Sequence, residues 1–221
     1  MKGIVTDPSG IERRSMEIIG QELKERGFSF EPSEEAVLKR IIHASADFDY
    51  AENLVFLGDP VKAGISAFRA RRPVVTDTNM AKAGISKAAL QKLGGDSFCY
   101  MSDPEVLLEA GRRNTTRAEI SMRKACREHP GGVFAVGNAP TALFALADLC
   151  EEGFRPSLLI GMPVGFVNVR ESKERALEVC RKMQLPAILA MGRKGGSSVT
   201  AACVNALLYL AAGMADPEKR S

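Results

Sequence analysis

The sequence predicts an α/β fold: a single domain with a mostly parallel sheet and helices on both faces. Three observations carry this. Six short apolar runs ("NLVFL", "RPVVTD", "DSFCYM", "GGVFAVG", "PSLLIG", "PAILAMG") are continuous rather than alternating, as strands buried on both sides are. Segments of helical period separate them. No internal repeat, low-complexity tract or long linker divides the 221 residues, a length that suits one large domain.

In chain order, Ser9-Gly10-Ile11-Glu12 reads as a capping box opening a helix to about Arg26, stopped by Gly27. Pro32-Ser33-Glu34-Glu35 opens a second, with Ser33 as cap and two acids in the first turn, running to about Asp47. These N-terminal helices (9–47) precede the sheet and helices of 53–212. Further helices are expected near Asp59–Arg71, Asp103–Arg112, Thr115–Glu128, Ala139–Glu152, Val169–Met183 and Ser197–Ala212. Asp103-Pro104 gives one of them a cap followed by proline at the first helical position.

Hydrophobic residues make up 45% and charged residues 26%, enough apolar material for a core without disulfides or metals. A net charge of +3 is too small to imply nucleic acid or a membrane surface as partner. The five cysteines (Cys99, Cys126, Cys150, Cys180, Cys203) show no C-x-x-C spacing, and two histidines offer little help as ligands. That pattern argues for reduced thiols in a cytoplasmic protein and against a Cys/His metal site. The N-terminus lacks a signal-type apolar stretch. The uncharged run Gly195–Ala215 is rich in Ala, Ser and Thr and suits a buried helix better than a membrane span.

In such folds ligands sit beyond the carboxyl ends of the strands. Three strand ends are rich in glycine: "VGNAPTAL", "GMPVGFVNVRESK" and "GRKGGSSVTAACVNALL". Each leads through a turn into a helix start, where free backbone N–H groups and the dipole favour an anion. None matches a Walker or dinucleotide fingerprint. One such loop alone reads equally well as a turn that needs glycine; three together favour a binding edge.

On a helical wheel, Val37, Leu38, Ile41 and Ile42 form the apolar stripe of the second helix, and His43 falls nearly opposite its centre. Arg40 and Asp47 share its side, at spacings that touch on a helix. His43 is therefore either a solvated imidazole or one facing a cleft. With an ordinary pKa of about 6.5, imidazole serves as acid or base without large tuning, and Asp47 is placed to orient it. His129, in "REHPGG", reads as a loop residue at a helix end. Between Arg112 and Arg127 six basic residues face one acid, Glu119. Most read as a solvated face, but Arg117 follows a threonine pair at a helix start, and arginine forks suit carboxylates.

Taken together, "RIIHASADFDYAENLVF", "VVTDTNMAKAGI", "VGNAPTALFAL", "IGMPVGFVNVRESK" and "GRKGGSSVTAACVNALL" closely resemble the precorrin-8X methylmutase family, in the right order over nearly the whole chain. The resemblance implies an isomerase of cobalamin biosynthesis. Such an enzyme moves a methyl group from ring carbon 11 to ring carbon 12 of precorrin-8X or cobalt-precorrin-8, giving hydrogenobyrinate or cobyrinate. It implies no organic cofactor, a tetrapyrrole substrate, and a homodimer with the active site near the subunit interface. The family's catalytic histidine falls on His43, as proton donor and acceptor, with Asp47 the candidate for tuning it. By family position Ser15, Arg40 and Arg117 are substrate contacts. The loops carrying Gly137, Asn138 and Thr141, and Gly195, Gly196 and Ser197, would bind rim carboxylates by backbone N–H. Asp77 and Thr78 either meet the ring system or cap a helix, and the "ESK" ending at Lys173 holds a loop in shape. Asn168 and Arg170 stand where small residues are usual in the family. A 1,5-sigmatropic shift needs no nucleophile, and general acid assistance is worth ~10²–10⁴ in rate. The competing readings are a phosphate-using α/β enzyme and a tetrapyrrole carrier without chemistry.

Overall fold

A computed structural model of the chain describes residues 7–220. The strands are β1 (Leu54–Leu57), β2 (Val74–Thr76), β3 (Ser97–Phe98), β4 (Val133–Val136), β5 (Leu158–Gly161) and β6 (Ala187–Ala190). They form one sheet in the order β1-β6-β5-β4-β2-β3. All neighbours run parallel except β1, which lies antiparallel to β6 at the edge. The expected parallel arrangement thus holds for five strands. "DSFCYM" contributes only the two residues of β3.

Alternation along each strand divides the core. Val133 and Ala135 join a cluster with helices α1 (Pro8–Glu25), α2 (Pro32–Ser45), α3 (Tyr50–Asn53), α4 (Pro60–Arg69), α6 (Lys87–Leu93) and α11 (Ser197–Ala212). Phe134 and Val136 join another with α8 (Arg117–Glu128), α9 (Pro140–Glu151) and α10 (Val169–Met183). Helix α7 (Pro104–Arg113) packs outside α8 through Val106 and Ala110 against Ile120, and α5 (Asn79–Gly84) packs on α11. Phe134 is fully buried, edge-on to Phe154 at 5.2 Å between ring centres. Truncating such a ring to alanine costs about 3–5 kcal/mol.

The uncharged C-terminal run is α11, whose ten buried residues spread around the helix because α2, α4, α5 and α6 all pack on it. Its composition answers to that enclosure. Among the described residues no helix is long and apolar enough to cross a membrane.

Several local expectations shift. Helix α1 begins at Pro8 and is capped by Asp7, whose Oδ2 accepts the Gly10 N–H at 2.6 Å, so Ser9 lies inside the first turn. Helix α2 likewise starts at its proline, with Glu31 in the cap position and no side-chain cap; Ser33 is already helical. In both, proline at N1 fixes the start, and the cap falls two residues before the expected serine. Helix α2 also ends earlier, at Ser45, because Ala46 turns left-handed (φ 52°). Helices α5 and α6 occupy a stretch where the sequence offers only a cap at Asp77 or Thr78, as an alternative reading, and each is opened by a side-chain cap: Thr78 Oγ1 accepts the Ala81 N–H and Ser86 Oγ the Ala89 N–H.

Candidate functional site

The carboxyl ends of β2, β4, β5 and β6 open along one edge, and each strand continues there into a turn and a helix. Helix α2 brings a fifth segment to the same edge. Its first turns lie beside the end of α11, around Tyr209 and Leu210, so its last turn points toward the turn that enters α11.

Asp77, directly after β2, is fully buried. Its Oδ1 accepts the N–H of Gly137 at 2.8 Å, and its Oδ2 accepts those of Asn138 at 2.8 Å and Ala139 at 2.7 Å. Burial pushes this carboxyl up, while the three donors favour its charged form. The chain's own carboxylate therefore fills the anion position at the start of α9. Of the two readings open for Asp77, meeting the ring system or capping a helix, these bonds match the cap, and one expectation is corrected: the N–H groups of Gly137 and Asn138 are not free for a rim carboxylate. Gly137 is needed for close approach, since a Cβ there would stand 2.7 Å from Thr200 Oγ1 and 3.0 Å from Ser197 Cα. Thr200 Oγ1 is buried with no hydrogen-bond partner among the described residues.

The start of α11 differs. Gly196, at its cap position, has φ 130° and provides no side chain. Its N–H bonds to Met162 O at 2.9 Å, and the first turn closes with Thr200 N–H on Gly196 O. The N–H groups of Ser197, Ser198 and Val199 meet no acceptor among the described residues, so this helix start does present free donors. A Cβ on Gly195 would stand 2.1 Å from Met162 O, so only glycine lets this turn lie against the β5–α10 loop. Ser197 Oγ pairs with Thr78 Oγ1 at 2.8 Å; Thr78 both caps α5 and ties it to α11. Thr141 Oγ1 pairs in the same manner with Thr116 Oγ1 at 2.7 Å, and Thr116 caps α8 beside Arg117. Arg117 is exposed, with no acid partner among the described residues.

Two lysines fix the α11 turn. Lys173 is fully buried and donates to Gly192 O at 2.9 Å and Lys194 O at 2.8 Å. Burial pulls its pKa down to about 8. This matches the loop-holding role read from "ESK". Lys194 in turn bonds Asp47 at 2.6 Å and Asp49 at 2.5 Å, joining the turn to the segment after α2. Its ammonium holds the Asp47 carboxyl below the usual range and is itself pushed up. Asp47 therefore belongs to Lys194 and not to His43. Its expected pairing with the imidazole assumes a helix that continues, and the left-handed Ala46 breaks the i,i+4 geometry.

The four predicted stripe residues of α2 are buried, and His43 is exposed on the opposite side. It lines a cleft of about 250 Å³ formed with Ser15, Ile18, Ile19 and Glu22 of α1 and with Phe48. The imidazole has no hydrogen bond or ion pair to another described residue, so both of its nitrogens are available. Ser15 is half-buried in the same cleft, its hydroxyl resting on Ile11 O at 2.8 Å. Arg40 bonds Glu12 at 2.5 Å and lies 5.4 Å from the Tyr209 ring centre. It is occupied in tying α1 to α2, which sets Ser15 against His43. His129 packs 4.2 Å from the Phe98 ring and bonds Tyr100 OH at 2.7 Å, away from these groups.

Of the expected site residues, the structure gathers Thr78, Thr141, Arg117, Gly195, Gly196 and Ser197 at the strand-end edge, with Asp77, Gly137 and Asn138 forming its frame. His43 and Ser15 form a neighbouring cleft, linked to that edge through Asp47 and Lys194. The sequence reading missed Lys194, which carries no local signal, and the pairing of Thr116 with Thr141, because each acts through a partner distant in the chain.

Comparison with known proteins identifies the fold and the family. The profile of the precorrin-8X methylmutase family matches residues 10–210. The chain is 46% identical over 211 residues to the cobalt-precorrin-8 methylmutase of Priestia megaterium, covering 95% of this chain and 91% of that protein. It is 41% identical to the Salmonella typhimurium protein of the same name, over 93% and 96% of the two chains. The crystal structure of a precorrin-8X methylmutase from Thermus thermophilus superposes with a TM-score of 0.83 at 39% identity, covering 92% of this chain and 96% of that one. With the family profile spanning the sheet, the glycine turns and the His43 helix alike, this chain belongs to the precorrin-8X methylmutase family.

Proposed function

We propose that this protein is an isomerase of cobalamin biosynthesis that moves a methyl group from ring carbon 11 to ring carbon 12 of precorrin-8X or its cobalt form. His43 is the proton donor and acceptor. The observation that carries this reading is the free imidazole on the wall of a largely apolar cleft, which Asp47 and Lys194 link to the edge where the helix starts gather. An unbonded ring takes its partner from the substrate. As imidazolium it protonates the macrocycle at a ring nitrogen or its neighbourhood, the methyl group migrates, and the proton returns, so nothing is consumed. Proton assistance of this kind supplies about 10²–10⁴ in rate, and holding the macrocycle in the reactive shape supplies much of the rest.

The free N–H groups at the start of α11 and the guanidinium of Arg117 take rim carboxylates. Ser15 meets the substrate from α1. Asp77, Arg40, Lys173 and Lys194 position these groups without touching it. The His43 cleft, about 250 Å³, is below the roughly 300–1,000 Å³ that encloses even a drug-sized ligand. A tetrapyrrole therefore needs a further wall, and a second copy of this chain supplies it in a homodimer. The protein works in the cytoplasm, where its five free thiols stay reduced.

The test is anaerobic conversion of precorrin-8X and of its cobalt form, followed by absorbance, with wild type and His43→Ala in parallel. Conversion by the wild type and loss of about 10²-fold or more in the variant, with pigment still bound, supports the role of His43. Binding without conversion by the wild type makes the protein a carrier. Equal turnover by both moves the proton chemistry to another group. Sedimentation equilibrium checks the dimer.

A further inference from the structure

The β5–α10 loop, residues 162–168, has a feature that the site described above does not use. Phe166 is 84% and Val167 76% exposed, the most exposed large apolar residues described, and Val164 beside them is 43% exposed. The other exposed large apolar residues, Ile11, Ile18, Met80, Leu107 and Leu108, lie on helices; here three within four positions of one loop form a patch.

The loop is anchored at both ends. Met162 O accepts the Gly196 N–H at 2.9 Å, and Gly165 N–H bonds Arg193 O at 3.3 Å. At the far end Asn168 is left-handed, Ser172 N–H closes on its carbonyl, and buried Ser172 bonds Val169 O at 2.8 Å. The loop is thus fastened to the turn that enters α11, and its apolar tip stands out beside the open helix start. Arg193 lies with its guanidinium 5.5 Å from the centre of the Phe166 ring and has no acid partner among the described residues. An aromatic face with an unpaired cation at its border matches a flat, largely apolar ring carrying carboxylates on its rim.

We propose that Phe166 and Val167 form a platform for the face of the tetrapyrrole, and that Arg193 takes one of its rim carboxylates. The proposal rests on the reading of the protein as a methylmutase and adds a specificity-determining surface to it. The ring of Phe166 fixes the tilt of the macrocycle, while Arg193 fixes its rotation. An open-chain or non-carboxylated tetrapyrrole gains only part of this.

The experiment compares wild type, Phe166→Ala, Phe166→Tyr and Arg193→Gln in the full-length protein. It measures hydrogenobyrinate binding by absorbance titration at low and high salt, turnover of precorrin-8X, melting temperature and oligomeric state. Phe166→Ala is expected to weaken binding and raise KM about tenfold with the salt dependence unchanged, and Phe166→Tyr to bind as wild type does. Arg193→Gln is expected to weaken binding several-fold at low salt and to flatten the salt dependence. All four should melt alike, because these side chains are exposed. If the wild type converts substrate and Phe166→Ala leaves Kd and KM unchanged, the platform is overturned. If Phe166→Ala dissociates the oligomer instead, the tip is a contact between copies and the platform is again overturned. Absence of conversion by the wild type strikes the methylmutase reading; a Kd that still follows the expected pattern then keeps the platform for a binding protein.

Discussion

Asp77→Asn is the most direct probe of how the edge is built. The substitution keeps size and shape and removes the charge. Three N–H groups converge on the carboxylate at 2.7 to 2.8 Å, two on Oδ2 and one on Oδ1. An amide has one acceptor oxygen. Placed at the Oδ2 position it keeps the bonds from Asn138 and Ala139, but these fall from roughly 1.5–3 kcal/mol each for a charged acceptor to about 1 kcal/mol for a neutral one. The Gly137 N–H then faces an NH2 group, and a buried donor left without acceptor costs about 1–3 kcal/mol. Against this, a neutral side chain is easier to bury, and burial already pushes the Asp77 carboxyl up. The net is a loss of about 2–4 kcal/mol, a large share of the 5–15 kcal/mol typical of a folded domain. Urea unfolding followed by circular dichroism reads this as a midpoint lower by about 1 M at unchanged slope. Hydrogen exchange at the amides of residues 137–139 should accelerate in step. A midpoint within about 0.2 M of wild type, with those amides still protected, would refute the reasoning.

Two further outcomes concern the lysines. Lys194→Ala removes the tie between the α11 turn and the segment after α2, and turnover should drop more than stability does, since exposed ion pairs contribute under about 1 kcal/mol. Lys194 holds the Asp47 carboxyl below its ordinary value. A depressed carboxylate stabilises above its unfolded pKa and loses that as pH falls through the folded one, so melting curves of the two proteins should converge in acid, below about pH 4. Lys173→Met should show its pH dependence in the basic range instead. Burial lowers the Lys173 pKa to about 8, so below that value the folded state carries a penalised charge, relieved as pH rises toward the unfolded value of about 10.4. Wild-type stability relative to Lys173→Met should therefore rise between about pH 8 and 10, read from urea midpoints at fixed salt. A flat difference across that range would show that the two carbonyls on Lys173 offset its burial.

The architecture was legible because it follows from periodicity. Continuous apolar runs mark strands covered twice, and the wheel of α2 separates Val37, Leu38, Ile41 and Ile42, all buried, from exposed His43. The likeness to the methylmutase family was equally readable, since its motifs run along nearly the whole chain. What failed was local continuation and distant partnership. The pairing of Asp47 with His43 extends a wheel past Ser45, and one left-handed residue, Ala46, hands Asp47 to a lysine almost 150 positions later, at Lys194. The start of α1 reads from Ser9, although Asp7 and Pro8 make the stronger signal.

The glycine turns show where sequence reading of a site reaches its boundary. "VGNAPTAL" and "GRKGGSSVT" look alike: a buried strand, a turn that needs glycine, a helix start without a side-chain cap. Each predicts an anion at its N–H groups, and physically each wants one. At α9 the anion is Asp77, supplied 60 positions upstream by the end of a neighbouring strand. At α11 no acceptor from the described residues arrives. The local pattern states the demand, and only the strand order, which sets β2 beside β4, reveals that one demand is met from within. A motif of this kind therefore locates a charge but not its owner. Where the chain supplies the charge, the turn is a frame; where it does not, the turn is free for a substrate carboxylate, and α11 is where that carboxylate should be sought.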